Sequence, residues 1–288
     1  MALAYTKQSI QDWITQQWVI LTGKQINPEE NLWLMGPFGN LNGIGENFIY
    51  QLADEENLIV KRNLNSTGLL LSIQQLGLSQ HEITLLSKEV IDFYESTSNY
   101  NLDLKVKWNP FYHFFGVLLN HLFSKRINQL NIPIKAVKKT EPLKSEIITL
   151  INSKTQQVKY TFWLRSKEST GQVIYSGIYS TCILPSGTAC VKAVFPLPKG
   201  NATVIMKPSI EKNGELKLNS SGNRFGDAGF YFLLKDGKGK IWSKFIRSFR
   251  DQLVIGMKNG ELIAEQKLTL WNQKIVDFYY TINKKTEL

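Results

Sequence analysis

Val158-Lys-Tyr160-Thr-Phe162-Trp-Leu164-Arg is the stretch on which the fold turns. Its aromatic and β-branched residues fit a pleated surface, and it reads as a strand. The chain downstream repeats the pattern. Residues 173–184, 189–195, 202–206, 215–218, 229–234, 253–257, 262–270 and 275–282 read as further strands. Asn213-Gly214, Asp236-Gly237 and Asn259-Gly260 stand between these runs. Such dipeptides accept positive φ at low cost and mark hairpins. Short strands punctuated in this way predict an antiparallel barrel or sandwich, with the strand order open. Residues 240–252 are ambiguous: Ile241, Phe245 and Phe249 suit a helix, while Trp242, Lys244, Ile246, Ser248 and Arg250 alternate with them.

Upstream the periodicity changes. Residues 6–21 place Ile10, Trp13, Ile14, Trp18 and Leu21 on one helical face, and Gly23 follows as a stop. Ser79-Gln-His-Glu82 is a capping box opening a helix that continues through Leu85, Leu86, Val90, Ile91 and Phe93-Tyr94 to Ser96. Leu102-Asp-Leu104-Lys-Val106-Lys-Trp108 alternates as a strand and is closed by Pro110. A further helix is expected over 111–130, ended by Asn131-Ile-Pro133. The predicted class is therefore α+β. A mainly helical region 1–145, with one or two strands, packs on an antiparallel β-barrel or strongly curved sheet over 146–288, the two forming one body.

Composition narrows the classes. With 15 Phe, 11 Tyr and 7 Trp in 288 residues the chain is not intrinsically disordered. Two cysteines cannot make a disulfide framework, and Cys182 and Cys190 read as small buried hydrophobes. No apolar run approaches the roughly 18–20 residues of a membrane-spanning helix. The start of the chain lacks a secretory signal, so a cytoplasmic location is expected. The net charge of +10 is uneven: residues 1–100 carry 5 Lys/Arg against 11 Asp/Glu, and the remainder carries 29 against 13. Most basic residues are scattered singly, and the densest run, Lys135-Ala-Val-Lys138-Lys139, is short. Nucleic acid is thus disfavoured as a partner, while a peripheral contact with an anionic membrane surface stays open.

Few residues announce chemistry. His113 and His121 would lie two helical turns apart, about 12 Å along the axis, too far to share a zinc ion. No metal or cofactor is expected, and no Gly-x-Ser-x-Gly elbow marks a nucleophile. Gly43-Ile-Gly45-Glu46 lacks the third glycine of a dinucleotide fingerprint and reads as a tight connection onto a short helix. Glu95 sits at a helix C-terminus, against the dipole, with Arg126 as a conceivable partner. The β-rich part holds the candidates. Arg224 and Asp227 share a glycine-flanked turn beside Tyr231, where they either pin the turn or present Arg224 to a carboxylate or phosphate. Trp242, Lys244, Arg247 and Arg250 form a solvated basic face or a contact for an anion or lipid headgroup. Tyr160, Trp163, Tyr175, Tyr179, Tyr231 and Trp271 fill the core or line a cavity, with Lys192 as a further cation.

The leading expectation is a module that binds an apolar or amphipathic, acidic small molecule inside the barrel. Its site would draw on Arg224, Asp227, Tyr231, Tyr175, Tyr179, Trp163, Lys192, Trp242 and Arg247. The alternative is a metal-free, nucleotide-independent enzyme of isomerase, cyclase or lyase type in the same cavity; a third reading is an interaction protein with a basic face. A cavity of a few hundred Å³ separates the first two from the third. Catalytic residues are not assignable, nor is the oligomeric state.

Two groups of residues carry a resemblance. The first is Phe93-Tyr-Glu95-Ser-Thr97 with Trp108, Phe115-Gly116 and Leu122-Phe-Ser-Lys-Arg126-Ile-Asn-Gln129-Leu-Asn131-Ile-Pro133. The second is Phe195-Pro-Leu-Pro198-Lys-Gly-Asn201 with Phe225-Gly-Asp-Ala-Gly229-Phe-Tyr231. Over residues 90–280 the chain resembles uncharacterised bacterial proteins similar to the soluble part of YndJ-like proteins. The resemblance implies a bacterial origin and carries no activity or catalytic residue with it. YndJ-like proteins look membrane-attached, whereas this chain has no spanning segment.

Overall fold

Antiparallel pairing brings the helical start and the strand-rich remainder into one sheet. The computed structural model describes residues 3–4, 10–40, 46–62, 65–112 and 140–285. In the first part lie α1 (Ile10–Thr22), β1 (Lys24–Ile26), α2 (Asn47–Glu55), β2 (Leu58–Arg62), α3 (Gln80–Leu85), α4 (Lys88–Glu95) and β3 (Tyr100–Trp108). Then follow β4 (Glu141–Asn152), β5 (Val158–Lys167), β6 (Val173–Ile183), β7 (Ala189–Leu197), β8 (Gly200–Ile210) and β9 (Leu216–Asn219). The chain closes with β10 (Phe230–Lys235), β11 (Ile241–Phe245), β12 (Phe249–Lys258), β13 (Glu261–Leu270) and β14 (Gln273–Lys284). Residues 41–45 and 113–139 lie outside the described residues, and with them the expected glycine loop, the 111–130 helix beyond Tyr112, His113, His121, Arg126 and the Lys135–Lys139 run.

Ten strands close the barrel in the order β3-β4-β5-β6-β7-β8-β9-β12-β13-β14, with β14 pairing back onto β3. Barrel rather than sandwich is the outcome, and it is not confined to the C-terminal part. Strand β3 is one of its staves, and the boundary expected at residue 145 falls inside β4. Closure depends on β8 serving two neighbours. Its Gly200–Val204 half pairs with β10, and its Lys207–Ile210 half pairs with β9. The β10-β11-β1 ribbon peels away at that point. Strand β4 branches likewise, holding β3 at Glu141–Leu143 and β2 at Ile148–Asn152. The ambiguous 240–252 stretch resolves into β11 and the start of β12.

The β12–β13 hairpin follows its turn chemistry. Asn259 and Gly260 both have positive φ, 52° and 82°, in the two-residue link from β12 to β13, the left-handed pair that matches strand twist. Both residues of the next link, Trp271 and Asn272, are also left-handed, at 48° and 62°.

Packing explains why some strands alternate and others do not. Strand β3 alternates cleanly because only its inner face is covered. Strand β4 is almost continuously buried because its outer face is covered as well. There Phe48, Ile49 and Leu52 of α2 lie on Ile148, Leu150, Phe162 and Leu164. Trp33 and Leu34 cover Cys182, Cys190, Ile205 and Tyr231 in the same way, and both cysteines are free and buried. The inner faces form the main core, which the segment 69–94 enters with Leu69, Leu70, Phe93 and Tyr94.

Three helical expectations change. The capping box at Ser79 forms, yet its helix ends at Leu86, where the backbone turns extended and Ser87 caps a second helix, α4. Glu95 does not oppose a dipole unaided: its carboxylate accepts from the Ile73 N–H at 2.6 Å, at the start of a short 3-10 turn. Helix α1 is turned over. Ile10, Ile14, Trp18 and Leu21 are exposed, whereas Gln16 and Gln17 are buried with Val19 and Ile20.

Candidate functional site

Residues two apart on a strand share a face, so Trp163 and Arg165 of β5 point inward together while Phe162 and Leu164 point out beneath α2. Arg165 lies directly opposite Tyr175 on β6, and Trp163 lies opposite Gly177. Gly177 leaves room for its neighbours: a Cβ there would stand 2.8 Å from the Phe195 ring. These inner faces enclose a cavity of about 90 Å³, whose wall also includes Tyr179, Asp251, Gln266 and Tyr280.

Arg165 is 6% exposed and, among the described residues, has no carboxylate within 4 Å. Its guanidinium carbon lies 4.1 Å from the Trp163 ring centroid and 4.4 Å from that of Tyr175, so two aromatic faces contact the charge. One Nη donates to the Tyr179 hydroxyl at 3.0 Å, while Nε has no acceptor among the described residues. Asp251 on β12 is 5% exposed. Its Oδ2 accepts from Gln266 Nε2 at 2.8 Å, and its Oδ1 has no partner among the described residues. Burial pushes this carboxyl up to about 7, with the Gln266 hydrogen bond pulling the other way. Burial likewise raises the Tyr280 hydroxyl to about 12, opposed by the nearby Arg165 charge, and holds Tyr175 well above the usual phenol range. With Asp251 protonated, the cavity wall carries one net positive charge, that of Arg165.

The sequence-derived candidates separate into three places. Trp163, Tyr175 and Tyr179 line the cavity. Arg224, Asp227 and Tyr231 are outside it, because their turn lies on the outer surface. Arg224 is largely solvent-exposed with its Nε 3.9 Å from Asp227, and Asp227 Oδ2 accepts from the Asn223 and Arg224 backbone N–H groups. Asp227 thus holds the turn through its backbone N–H groups, with Arg224 alongside. The Tyr231 hydroxyl donates to the Asp227 carbonyl at 2.6 Å, with its ring packed on Trp33, Phe225 and Phe245. Lys192 falls on the outward phase of β7 and donates to the Met35 carbonyl at 2.8 Å. Trp242 donates to Asp236 Oδ2 at 3.0 Å and is likewise away from the cavity. Arg247 joins Lys244 and Arg250 in an outer groove flanked by Trp18 and Trp271.

Arg165, Asp251, Gln266 and Tyr280 are the site residues that sequence reading passed over. Strand phase was the available signal: Asp251 is in step with Leu253 and Ile255, as Tyr280 is with Phe278 and Ile282. Among the described residues no group of three or more His, Cys, Asp or Glu is placed to hold a metal.

No family model matches the chain, and no solved structure matches it. It is similar to a longer bacterial protein. Over 245 residues the chain is 24% identical to the uncharacterized membrane protein YndJ of Bacillus subtilis. The alignment covers 83% of this chain and 41% of YndJ, so the chain spans less than half the length of that relative. The resemblance read from the Phe93–Pro133 and Phe195–Tyr231 motifs thus stands as a similarity over 83% of the chain. Among the described residues, no helix is long and apolar enough to cross a membrane.

Proposed function

We propose that the barrel binds a small organic anion, its acidic group on Arg165 and its apolar remainder against the surrounding rings. The observation that carries this reading is the buried guanidinium beside a cavity with no carboxylate within 4 Å among the described residues. Leaving a charge unpaired in a protein interior is costly, and a guest carboxylate supplies the missing partner in the bidentate geometry that arginine favours. Size sets the class of guest. About 90 Å³ is several times the 10–15 Å³ that houses one water, but well short of the roughly 300–1,000 Å³ of pockets for larger ligands. A long-chain lipid does not fit this interior, which is a smaller hollow than the few hundred Å³ expected from the sequence.

Titration calorimetry with formate, acetate, propionate and benzoate tests the reading. A ceiling near 1.5 kcal/mol per heavy atom limits four-atom acetate to a Kd no tighter than about 40 µM. Saturable binding of the short acids, lost in Arg165→Gln, is the expected result. Equal binding by the variant removes Arg165 from the site.

Asp251 favours a second reading. A buried carboxyl poised near neutrality on a cavity wall is suited to general acid–base work, so the same pocket serves a metal-free enzyme with Asp251 moving a proton at Oδ1. Under that reading Asp251→Asn retains the ligand and loses turnover.

A further inference from the structure

We propose that one outer face, formed by α1, the Trp271 turn and the cations Lys244, Arg247 and Arg250, docks this protein on a bilayer carrying anionic phospholipid. The proposal is independent of the barrel cavity. It begins from the inverted helix. At 100° per residue, positions 10, 14, 18 and 21 fall within an arc of about 80°. Ile10, Ile14, Trp18 and Leu21 form that stripe, and they are 77%, 57%, 42% and 59% exposed. A helix packed on a domain normally buries such a stripe. Here the opposite side is buried instead, and its polar residues have partners: Gln16 donates to the Pro198 carbonyl at 2.8 Å, and Gln17 accepts from the Ala4 N–H at 3.1 Å. The orientation is thus held by specific hydrogen bonds, and it leaves the apolar stripe outward.

Trp271 is a second, separate observation. It occupies a left-handed position in a two-residue turn, where Gly, Asn or Asp is preferred and a bulky side chain is strained. Contrary to the core or cavity position expected from the sequence, its indole gains little from the fold, being 69% exposed. Tryptophan is the side chain suited to the boundary between headgroups and acyl chains.

The cations make the surface continuous and choose the partner. Lys244 donates to the carbonyl of Thr22, the last residue of α1, at 2.8 Å and lies over the Trp18 ring. Arg247 and Arg250 complete the groove between Trp18 and Trp271. Among the described residues none of the three has a carboxylate within 4 Å. An apolar helical stripe bordered by tryptophans and by cations without carboxylate partners among the described residues has the make-up of an interfacial anchor for negatively charged lipid.

Flotation of the full chain with vesicles tests this. Vesicles of phosphatidylglycerol and phosphatidylcholine in equal parts should carry the protein upward, and vesicles of phosphatidylcholine alone should not. Each cation close to an anionic surface contributes about fivefold, so Arg247→Ala with Arg250→Ala should weaken partitioning by roughly 25-fold. Ile14→Asp should abolish it. Trp271→Gly relieves the strained turn, so it should hold or raise Tm while weakening partitioning, two effects that a purely structural role would not separate. Failure of the wild-type chain to prefer phosphatidylglycerol overturns the proposal. So does unchanged partitioning of Ile14→Asp. A concentration-dependent dimer that Ile14→Asp dissociates, without vesicle binding, assigns the stripe to a second copy and overturns it equally.

Discussion

Asp251 gives the sharpest test of the barrel interior. In the folded protein its carboxyl keeps its proton up to about pH 7, against an ordinary value of 3.8, because burial penalises the charged form. Below about pH 4 both folded and unfolded chains hold the proton, and this group leaves stability unchanged with pH. Between about 4 and 7 the unfolded chain releases it while the folded chain retains it. The folded state then binds one more proton than the unfolded, so stability falls as pH rises. The loss is about 1.4 kcal/mol per pH unit over about three units, roughly 4 kcal/mol in total. Above 7 both states are ionised and the contribution is flat again.

Asp251→Asn isolates that term. An asparagine carries its amide where Oδ1 would carry the proton, keeps an acceptor for Gln266, and does not titrate. Urea unfolding of both proteins at intervals from pH 4 to 8 gives two stability curves whose difference cancels the other groups. The variant should gain on the wild type by about 4 kcal/mol from pH 4 to 7 and then hold level. A difference that stays flat across this range would refute the reasoning, because it would mean that Asp251 ionises like a hydrated carboxylate. The interior would then carry no net charge for an anion to meet.

Other perturbations separate site from scaffold. Arg165→Met should abolish binding of short carboxylates while holding or raising Tm, since well-packed apolar replacements of buried ions are often neutral to a few kcal/mol stabilising; differential scanning calorimetry with and without acetate reads both. Tyr231→Phe should cost about 1–3 kcal/mol in urea melts by stranding the Asp227 carbonyl and Gly226 N–H, with carboxylate binding unchanged. Gly177→Ala drives a methyl toward the Phe195 ring, and should destabilise by about 1–3 kcal/mol and weaken binding in the same calorimetric assays.

The legible features were those decided locally. The alternation from Leu102 to Trp108, the Asn259-Gly260 turn and the Ser79–Glu82 capping box all appear as their chemistry dictates. Closure of the barrel was not legible, because it depends on β8 dividing its length between β9 and β10, and no periodicity records which neighbour a strand finds. Arg165 escaped for a related reason. Phe162 and Leu164 on one phase of β5 are as apolar as Trp163 on the other, since α2 buries the outer face, so the sequence does not declare which side is the lumen. Asp251 lay in the stretch where helical and strand spacing competed. Helix α1 misleads in the opposite sense: its apolar spacing is genuine, but the hydrogen bonds of Gln16 and Gln17 decide which side faces the protein.

The interior chemistry is hard to explain as architecture alone. A guanidinium removed from water needs compensation, and Asp251 lines the same cavity as a ready source of it. Ionised and paired with Arg165, that carboxylate would neutralise the site. The structure does otherwise: Asp251 Oδ2 is engaged by Gln266, and no carboxylate among the described residues comes within 4 Å of Arg165. Trp163 and Tyr175 place ring faces against the cation, and Tyr179 accepts a single hydrogen bond from it. These contacts steady the guanidinium without cancelling its charge, and they leave Nε unpaired among the described residues. A core selected only for stability would place methionine or leucine there, because aliphatic side chains fill such a space with no desolvation cost. Keeping a charge, holding it by its flat faces and leaving donor capacity beside a hollow is the arrangement expected where the counter-ion arrives from outside. The raised pKa of Asp251 belongs to the same logic, since a carboxyl that holds its proton adds no repulsion to an arriving anion.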